Sequence, residues 1–224
     1  MKVGIEAINI YGAQTYLDVK KLAQARQLDN DRFNNLLMKS KSMHLNFEDV
    51  VSFGVNAAKP IIDQLTEEEK NKIELLIVST ESGIDFGKTI GNYIHDFLGL
   101  NKNCRVFELK QACYAGTAAL QMAVSFILSN VSPGAKALII SADLSRYDTD
   151  VDLKAVAHIF GFAEASQGAA SMAILVSDQP KILELEQEAY GMYSYEVMDT
   201  SRPTPGMEFA DIDLSLLSYL DCLE

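Results

Sequence analysis

Short apolar runs recur along the chain and predict buried β-strands. Ile73–Ser79 (IELLIVS) and residues 137–141 (ALIIS) have little polar interruption, which is typical of strands covered on both faces of a sheet. Residues 3–9 predict a first strand, Arg105–Leu109 predicts a strand with rough alternation, and residues 169–176 predict a strand of small and apolar residues.

Segments with helical spacing of apolar residues alternate with these runs. Residues 17–28, 50–65 and 89–98 predict helices, and Gly99 closes the last of them. Residues 114–130 are apolar almost all round, so this helix is expected to be buried. Because strands and helices alternate, the sequence predicts an α/β layered architecture.

The remaining segments have weaker patterns. Residues 66–72 predict a charged connection, and residues 182–188 with residues 192–198 predict a hairpin or strand pair. Residues 214–220 predict the opening of a helix. Residues 148–161 carry no pattern that assigns them to an element.

Composition and charge exclude several classes of protein. The 224 residues are 48% hydrophobic and 22% charged, which suits one sizeable core, or half of a larger fold, and not a disordered chain. The formal net charge of −12 argues against a nucleic-acid partner, because binding nucleic acid needs clustered Lys and Arg.

The cysteines and the apolar segments indicate a compartment. Cys104, Cys113 and Cys222 form an odd, unpaired set, which argues against a disulfide framework and fits a reducing environment. The longest apolar stretch, residues 115–128, is too short and too polar to cross a bilayer, and the start of the chain has no signal-peptide pattern. The sequence therefore predicts a cytoplasmic protein with no membrane partner.

Cys113 is the most informative residue because it stands where a predicted strand gives way to a predicted helix. A helix N-terminus offers free N–H donors and a positive partial charge, and both favour a nucleophilic thiolate. The same N–H groups can hold an oxyanion formed from a thioester carbonyl. A cysteine in apolar sequence is more often a small core residue, so position alone leaves both interpretations open.

Glu81 follows the predicted strand Ile73–Ser79. In layered α/β sheets, ligands gather beyond the carboxyl ends of the strands, and a buried carboxylate there can transfer protons. The alternative is a loop carboxylate or a helix cap, and Asp85 competes for either role. Spacing alone does not choose between Glu81 and Asp85.

The sequence predicts neither a metal site nor a nucleotide cofactor. His44 lies in a polar stretch, His95 lies in a predicted helix and His158 lies in the unassigned segment, so each is expected to be structural or exposed. The chain has no metal-ligand spacing, no phosphate-binding glycine loop and no Gly-x-Ser-x-Gly turn.

Two segments together resemble the 3-hydroxy-3-methylglutaryl (HMG) synthases: residues 81–88 (ESGIDFGK) and residues 107–118 (FELKQACYAGTA). Residues 54–60 (GVNAAKP) and 195–200 (YEVMDT) look like the subgroup that works on acyl carrier proteins during polyketide β-branching. The resemblance implies a thiolase-like layered fold, with a mixed sheet, helices on both faces and a buried helix after the nucleophile cysteine.

The resemblance also implies roles for individual residues. Cys113 would take an acetyl group from a thioester, and Glu81 would remove a proton from the acetyl methyl group. The resulting carbanion equivalent would add to the β-ketone of a β-ketoacyl chain on an acyl carrier protein, and hydrolysis would free the product. Tyr147, Ser166 and Ser215 fall where the family contacts substrate.

The resemblance extends over residues 1–224 as the N-terminal half of such an enzyme, since family members are about twice as long. The family's third catalytic group, a histidine in a His-x-Pro-Phe context, lies beyond this chain. We therefore expect either a truncated chain or one piece of a split enzyme. Gly168-Ala169-Ala170 stands where the family usually has Gly-Ala-Gly, which puts a close backbone approach there in question.

The expected partners are donor and acceptor acyl carrier proteins, together with either a second copy in a homodimer or a chain that supplies the C-terminal half. In the thiolase fold, the strand before the nucleophile pairs across the dimer two-fold, and that strand is Arg105–Leu109 here. Two other functions stay open: a non-catalytic half-enzyme or scaffold subunit, and a coenzyme A-dependent synthase or simpler ketosynthase.

Overall fold

The computed structural model describes residues 1–28, 30–35, 37–144, 167–204 and 207–223. The chain divides into two compact units. The first unit comprises Met1–Gln14, His44–Leu144 and Ala169–Glu186. The second unit comprises Thr15–Met43, the described part of Ser145–Gly168, and the described part of Gln187–Glu224.

Strands and helices alternate through most of the chain. The strands are β1 Gly4–Gly12, β2 Thr15–Asp18, β3 Ser40–Met43, β4 Ile73–Ser79, β5 Arg105–Leu109, β6 Lys136–Leu144, β7 Ala169–Ser177, β8 Leu183–Glu184, β9 Thr200–Thr204 and β10 Met207–Ala210. The helices are α1 Val19–Arg26, α2 Asn30–Asn35, α3 Val50–Ile62, α4 Glu67–Asn71, α5 Gly91–Phe97, α6 Tyr114–Leu128 and α7 Ile212–Asp221.

A six-stranded mixed sheet in the order β5-β4-β6-β7-β1-β8 organises the first unit. Strands β5, β4 and β6 are parallel, whereas β7 is antiparallel to both β6 and β1. This arrangement confirms the predicted mixed sheet. Within the described residues β5 pairs with β4 alone, so it forms one edge of the sheet.

Alternation along the central strands produces two apolar layers, one on each face of the sheet. Leu76 and Val78 of β4 pack with helices α3 and α5 on one face. Leu75 and Ile77 of the same strand pack with α6 on the other face. Since successive strand residues point to opposite faces, one short apolar run supplies both cores.

Helix α6 buries one stripe rather than its whole circumference. The stripe has a four-residue spacing and consists of Ala115, Ala119, Ala123 and Ile127. On the rest of the helix, Tyr114 and Met122 are exposed in this chain. The predicted helix is confirmed, but uniform hydrophobicity did not lead to uniform burial, because this unit provides a single sheet face for the helix to contact.

Two short elements differ from the sequence-based expectation. The predicted helix over residues 17–28 begins at Val19, because Asp18 ends β2 and its carboxylate caps the backbone N–H of Lys21. The charged connection over residues 66–72 contains helix α4, which begins with a capping box between Thr66 and Glu69.

The predicted hairpin of residues 182–188 and 192–198 is wrong. Leu183–Glu184 pairs with β1 in the first unit, and residues 192–198 contain no strand. In the second unit, β9 pairs instead with β10. The predicted helix at residues 214–220 is confirmed as α7, whose first turn is capped by Asp211. No helix in the described part of the chain is long and apolar enough to cross a membrane.

Candidate active site

The faces of β4 and β6 change from apolar to polar at their carboxyl ends. In the parallel register, Ile77 pairs with Ile139 and, two residues later, Ser79 pairs with Ser141. The hydroxyl oxygens of the two serines lie 2.6 Å apart. The side of the sheet that α6 covers therefore ends in a hydroxyl pair rather than in aliphatic side chains.

The first turn of α6 lies directly on this hydroxyl pair. A β-carbon at Gly116 would stand 3.3 Å from the Ser141 Oγ atom and 3.9 Å from the Ser79 Oγ atom. Cys113 precedes Gly116 by three residues, and Glu81 follows Ser79 by two. The structure thus brings Cys113 and Glu81 to the same edge of the sheet, beyond the carboxyl ends of β4 and β5.

Cys113 is an exposed free thiol at the N-cap of α6. Its side chain makes no capping hydrogen bond. The N–H of Tyr114 donates to the Gln111 carbonyl at 3.0 Å, and the N–H of Ala115 donates to the Ala112 carbonyl at 3.3 Å. The expectation that the first helical N–H groups are free for an oxyanion is therefore wrong for these two donors, although the helix still begins at the cysteine.

Ala112, which precedes the cysteine, has a φ of +43°. A residue with a β-carbon is disfavoured in this left-handed region by roughly 1–2 kcal/mol. The backbone therefore makes a sharp and strained turn between β5 and α6. Such strain is typical of functional sites, where surrounding structure holds a side chain in place.

Glu81 is half-buried and is anchored through its backbone. Its N–H donates to the Oδ1 atom of Asp143 at 2.8 Å, and the hydroxyl of Thr80 donates to the same atom at 3.1 Å. On the other side, the N–H of Thr80 donates to the Leu109 carbonyl of β5 at 3.4 Å. The turn that carries Glu81 is thus attached to both neighbouring strands.

Asp85 caps a turn, which bears on the choice between Glu81 and Asp85. Its Oδ1 atom accepts hydrogen bonds from the backbone N–H groups of Gly87 at 2.7 Å and Lys88 at 2.9 Å. The Lys88 and Gly87 N–H groups hold the pKa of the Asp85 carboxyl below its ordinary value. A carboxylate held ionised as a turn cap is a poor general base, so Glu81 is the better candidate.

Asp143 is the residue that the sequence interpretation missed. In sequence, Ser79-Thr80-Glu81 and Ser141-Ala142-Asp143 share an acidic residue two positions after a serine. This shared spacing predicts a contact between the two segments only if Ser79 and Ser141 are paired, and the register of β4 with β6 pairs them.

Of the other predicted site residues, Ser215 alone lies in the part of the chain that the structure describes. Tyr147 and Ser166 fall outside the described residues, and Ser215 lies on α7 of the second unit, where its N–H donates to the Asp211 carbonyl at 2.9 Å. The ring of His95 is hydrogen-bonded to the Asn101 carbonyl at 2.8 Å, as expected for a structural histidine. Of the remaining histidines, His158 lies outside the described residues.

Gly168 keeps a close approach despite the Ala170 that follows it. A β-carbon at Gly168 would stand 2.8 Å from the Ser42 Oγ atom and 3.4 Å from the Ser42 carbonyl oxygen. A side chain at Gly168 would therefore meet Ser42, whereas Ala170 is exposed on β7. Among the residues that the structure describes, no cluster of three or more His, Cys, Asp or Glu side chains could hold a metal ion.

Comparisons with known proteins identify relatives of this chain. The family profile described as "Hydroxymethylglutaryl-coenzyme A synthase N terminal" matches residues 1–178. The chain is 57% identical to the polyketide biosynthesis 3-hydroxy-3-methylglutaryl-ACP synthase PksG of Bacillus subtilis (strain 168), over 100% of this chain and 53% of that protein. It is 34% identical to the hydroxymethylglutaryl-CoA synthase of Enterococcus faecalis, over 91% of this chain and 49% of that protein.

A solved structure extends the comparison to the fold. The HMG synthase of the curacin biosynthetic pathway, in complex with acetyl donor-ACP, superposes with a TM-score of 0.91 at 55% identity, covering 99% of this chain and 52% of that one. The chain thus spans about half the length of the curated relatives that it matches. Because the family profile covers most of its residues, the chain belongs to the hydroxymethylglutaryl-coenzyme A synthase family.

Proposed function

We propose that this chain supplies the nucleophile and the acid/base of an HMG synthase that acts on carrier-protein thioesters in polyketide biosynthesis. The observation that carries the proposal is the shared sheet edge, where an exposed Cys113 opens α6 above the Ser79–Ser141 pair and Glu81 is anchored to Asp143. Dependence on a carrier protein is supported by 57% identity to a relative named as an HMG-ACP synthase.

The first step is acetyl transfer to Cys113. The thiolate sulfur attacks the carbonyl carbon of an acetyl thioester on the donor carrier protein, a carbon–sulfur bond forms, and the carrier thiolate leaves and takes up the proton that Cys113 lost. A covalent thioester divides one difficult condensation into easier steps. Cys113 is exposed at the start of α6, where its sulfur is accessible to the thioester.

The second step is carbon–carbon bond formation. Glu81 removes a proton from the acetyl methyl group, and the enolate carbon attacks the β-ketone carbon of the acceptor chain. The alkoxide that results takes a proton, so that the β-carbon carries a hydroxyl group. Water then hydrolyses the thioester at Cys113, which regenerates the thiol and leaves a carboxymethyl branch. Tyr147, Ser166 and Ser215 are proposed to contact the acyl chains.

Completion of the site by further protein is part of the proposal. Because relatives are about twice as long, we propose that the remaining half is supplied by additional sequence or by a partner chain, and that this half brings the family's histidine. We also propose a homodimer in which the open edge of β5 pairs across a two-fold axis, and a cytoplasmic location in which Cys113 stays reduced.

The alternatives make different predictions about donor and partner. A coenzyme A-dependent synthase is supported by the Enterococcus faecalis relative, but the lower identity of 34% makes it second. A non-catalytic subunit would bind a partner chain without ever carrying an acetyl group.

Intact mass spectrometry tests these functions directly. We expect the protein, assembled with the remaining half, to gain one acetyl group from an acetyl carrier protein faster than from acetyl-CoA. Cys113→Ala should abolish the gain, and Cys222→Ala, which removes another exposed thiol, should leave it unchanged. Acetylation that persists in Cys113→Ala would refute the proposed nucleophile. Faster transfer from acetyl-CoA would favour the coenzyme A-dependent alternative.

A further inference from the structure

The hydroxyl of Ser82 joins the turn after β4 to the end of strand β6, beyond the last paired residues of these two strands. The last paired residues of β4 and β6 are Ser79 and Ser141. Beyond them, the Ser82 Oγ atom accepts the N–H of Leu144 at 3.0 Å. Its single hydrogen faces two acceptors, the Asp143 carboxylate at 2.9 Å and the Leu144 carbonyl at 3.1 Å. One side chain therefore continues the contact between β4 and β6.

Glu81 lies between two residues that are both tied to Asp143. The Ser82 N–H donates to the Thr80 Oγ1 atom at 2.9 Å, which closes a tight local turn. Thr80 is only 2% exposed, and its hydroxyl donates to the Asp143 Oδ1 atom. With the Glu81 N–H bound to the same oxygen, the backbone on either side of Glu81 has little freedom to rotate.

We propose that Ser82 is a positioning residue for proton abstraction, because its hydroxyl locks the turn that carries Glu81 onto the end of β6. This proposal rests on the function proposed above, in which Glu81 removes a proton from the acetyl group on Cys113. Ser82 itself is not assigned contact with substrate. It acts by holding the Glu81 backbone where the carboxylate can reach the methyl group.

Geometry explains why the position of Glu81 matters for proton abstraction and not for acetylation of Cys113. A general base must come within about 2.6–3.2 Å of the group it deprotonates, and a misplacement of about 1 Å can cost roughly a hundredfold in rate. Attack by the Cys113 sulfur on a thioester does not use the Glu81 carboxylate. Loss of the Ser82 hydroxyl should therefore separate the two steps.

The test compares Ser82→Ala with Ser82→Thr, which keeps a hydroxyl, and with Ser132→Ala as the matched control. Ser132 also donates a side-chain hydrogen bond, to the Glu74 Oε1 atom at 2.8 Å, but at the opposite end of β4. Two rates are measured by mass spectrometry. One is the rate of acetylation, and the other is the rate at which the acetyl methyl protons of the acetylated enzyme exchange with deuterium.

We expect Ser82→Ala to be acetylated within about twofold of the wild-type rate but to exchange methyl protons about 10-fold to 100-fold more slowly. Ser82→Thr should recover most of the exchange rate, and Ser132→Ala should match the wild type in both steps. Wild-type exchange in Ser82→Ala, or an equal loss in both steps, would overturn the proposal.

A second measurement tests the effect of Ser82 on the Glu81 backbone independently of catalytic activity. Hydrogen–deuterium exchange at the Glu81 backbone amide should be faster in Ser82→Ala than in the wild type and in Ser132→Ala, because the hydrogen bond to Asp143 is weakened. A wild-type assembly that never becomes acetylated refutes the proposed function. Unchanged amide exchange at Glu81 in Ser82→Ala refutes the proposed positioning role of Ser82.

Discussion

The backbone N–H of Glu81 donates a hydrogen bond of 2.8 Å to the carboxylate of Asp143 on the neighbouring strand β6. The same oxygen atom also accepts hydrogen bonds from the hydroxyls of Thr80 and Ser82. A carboxylate is a strong acceptor, and hydrogen bonds to a charged group are stronger than those between neutral groups. One side chain of β6 thus organises the whole turn after β4.

Replacing Asp143 by Ala should loosen this turn and lower stability by about 2 kcal/mol, because donors that converge on one charge lose their acceptor together. Asp143→Asn keeps a carbonyl oxygen and should fall between the wild type and Asp143→Ala. Urea unfolding followed by circular dichroism measures the effect. Equal stability of Asp143→Ala and the wild type would show that water replaces the carboxylate without cost.

Relieving the strain at Ala112 should stabilise the protein. Ala112 has a φ of +43°, where glycine carries no steric penalty, so Ala112→Gly should raise the free energy of unfolding by up to about 1 kcal/mol. The matched control is Ala118→Gly inside α6, which should lower the free energy of unfolding by about 1 kcal/mol. If both variants are destabilised equally, the backbone turn at Ala112 is not strained.

The three cysteines should react with thiol reagents at different rates. Burial, together with the nearby Glu74 carboxylate, raises the pKa of the Cys104 thiol to about 12. Cys113 and Cys222 are exposed. At pH 8 in the native state, iodoacetamide should modify Cys113 and Cys222 and spare Cys104, as read by peptide mass spectrometry. Denaturation in guanidinium should make Cys104 reactive, and rapid native labelling of Cys104 would contradict its burial.

The buried ion pair of Glu6 and Lys136 should make stability depend on pH in the acid range. Burial opposes ionisation of Glu6, whose side chain is 3% exposed, but hydrogen bonds from Lys136, Lys181 and Ser177 outweigh it and leave the pKa below the ordinary value of 4.5. A carboxyl with a depressed pKa in the folded state stabilises the fold above the pKa of the unfolded state. This stabilisation is lost as pH falls through the folded-state pKa.

Glu6→Gln tests this linkage. At pH 7 the substitution leaves Lys136 buried without its counter-charge, so it should cost about 3 kcal/mol of unfolding free energy. The difference between Glu6→Gln and the wild type should shrink as pH falls below the ordinary pKa of 4.5 and through the lowered folded-state pKa of Glu6. Asp63→Asn, which breaks the exposed pair with Lys59, should change stability little at either pH. A difference that stays constant across this range would contradict the assignment to Glu6.

Sequence predicted the elements whose signals are local. Strands β4 and β5 begin and end where their apolar runs do, and Cys113 stands at the junction of β5 and α6 as expected. The prediction failed where the deciding contact is distant in sequence. Leu183–Glu184 is a strand because it pairs with Gly4 and Ile5 of β1, a partner that its own pattern cannot reveal.

The same limit applied to the site. The end of a predicted strand indicates Glu81 as a candidate, but preferring it to Asp85 depends on the Gly87 and Lys88 hydrogen bonds that make Asp85 a turn cap. Asp143 lies 62 residues from Glu81 in sequence, so only the register of β4 with β6 shows that they meet.

That register also links the candidate site to correct assembly of the sheet. If β4 slid by one residue along β6, every side chain of β4 would move to the opposite face. Ser79 would lose Ser141, and Glu81 would lose Asp143, at the same time as the two apolar layers were disrupted. A misaligned sheet would therefore lose its stability and the candidate site together.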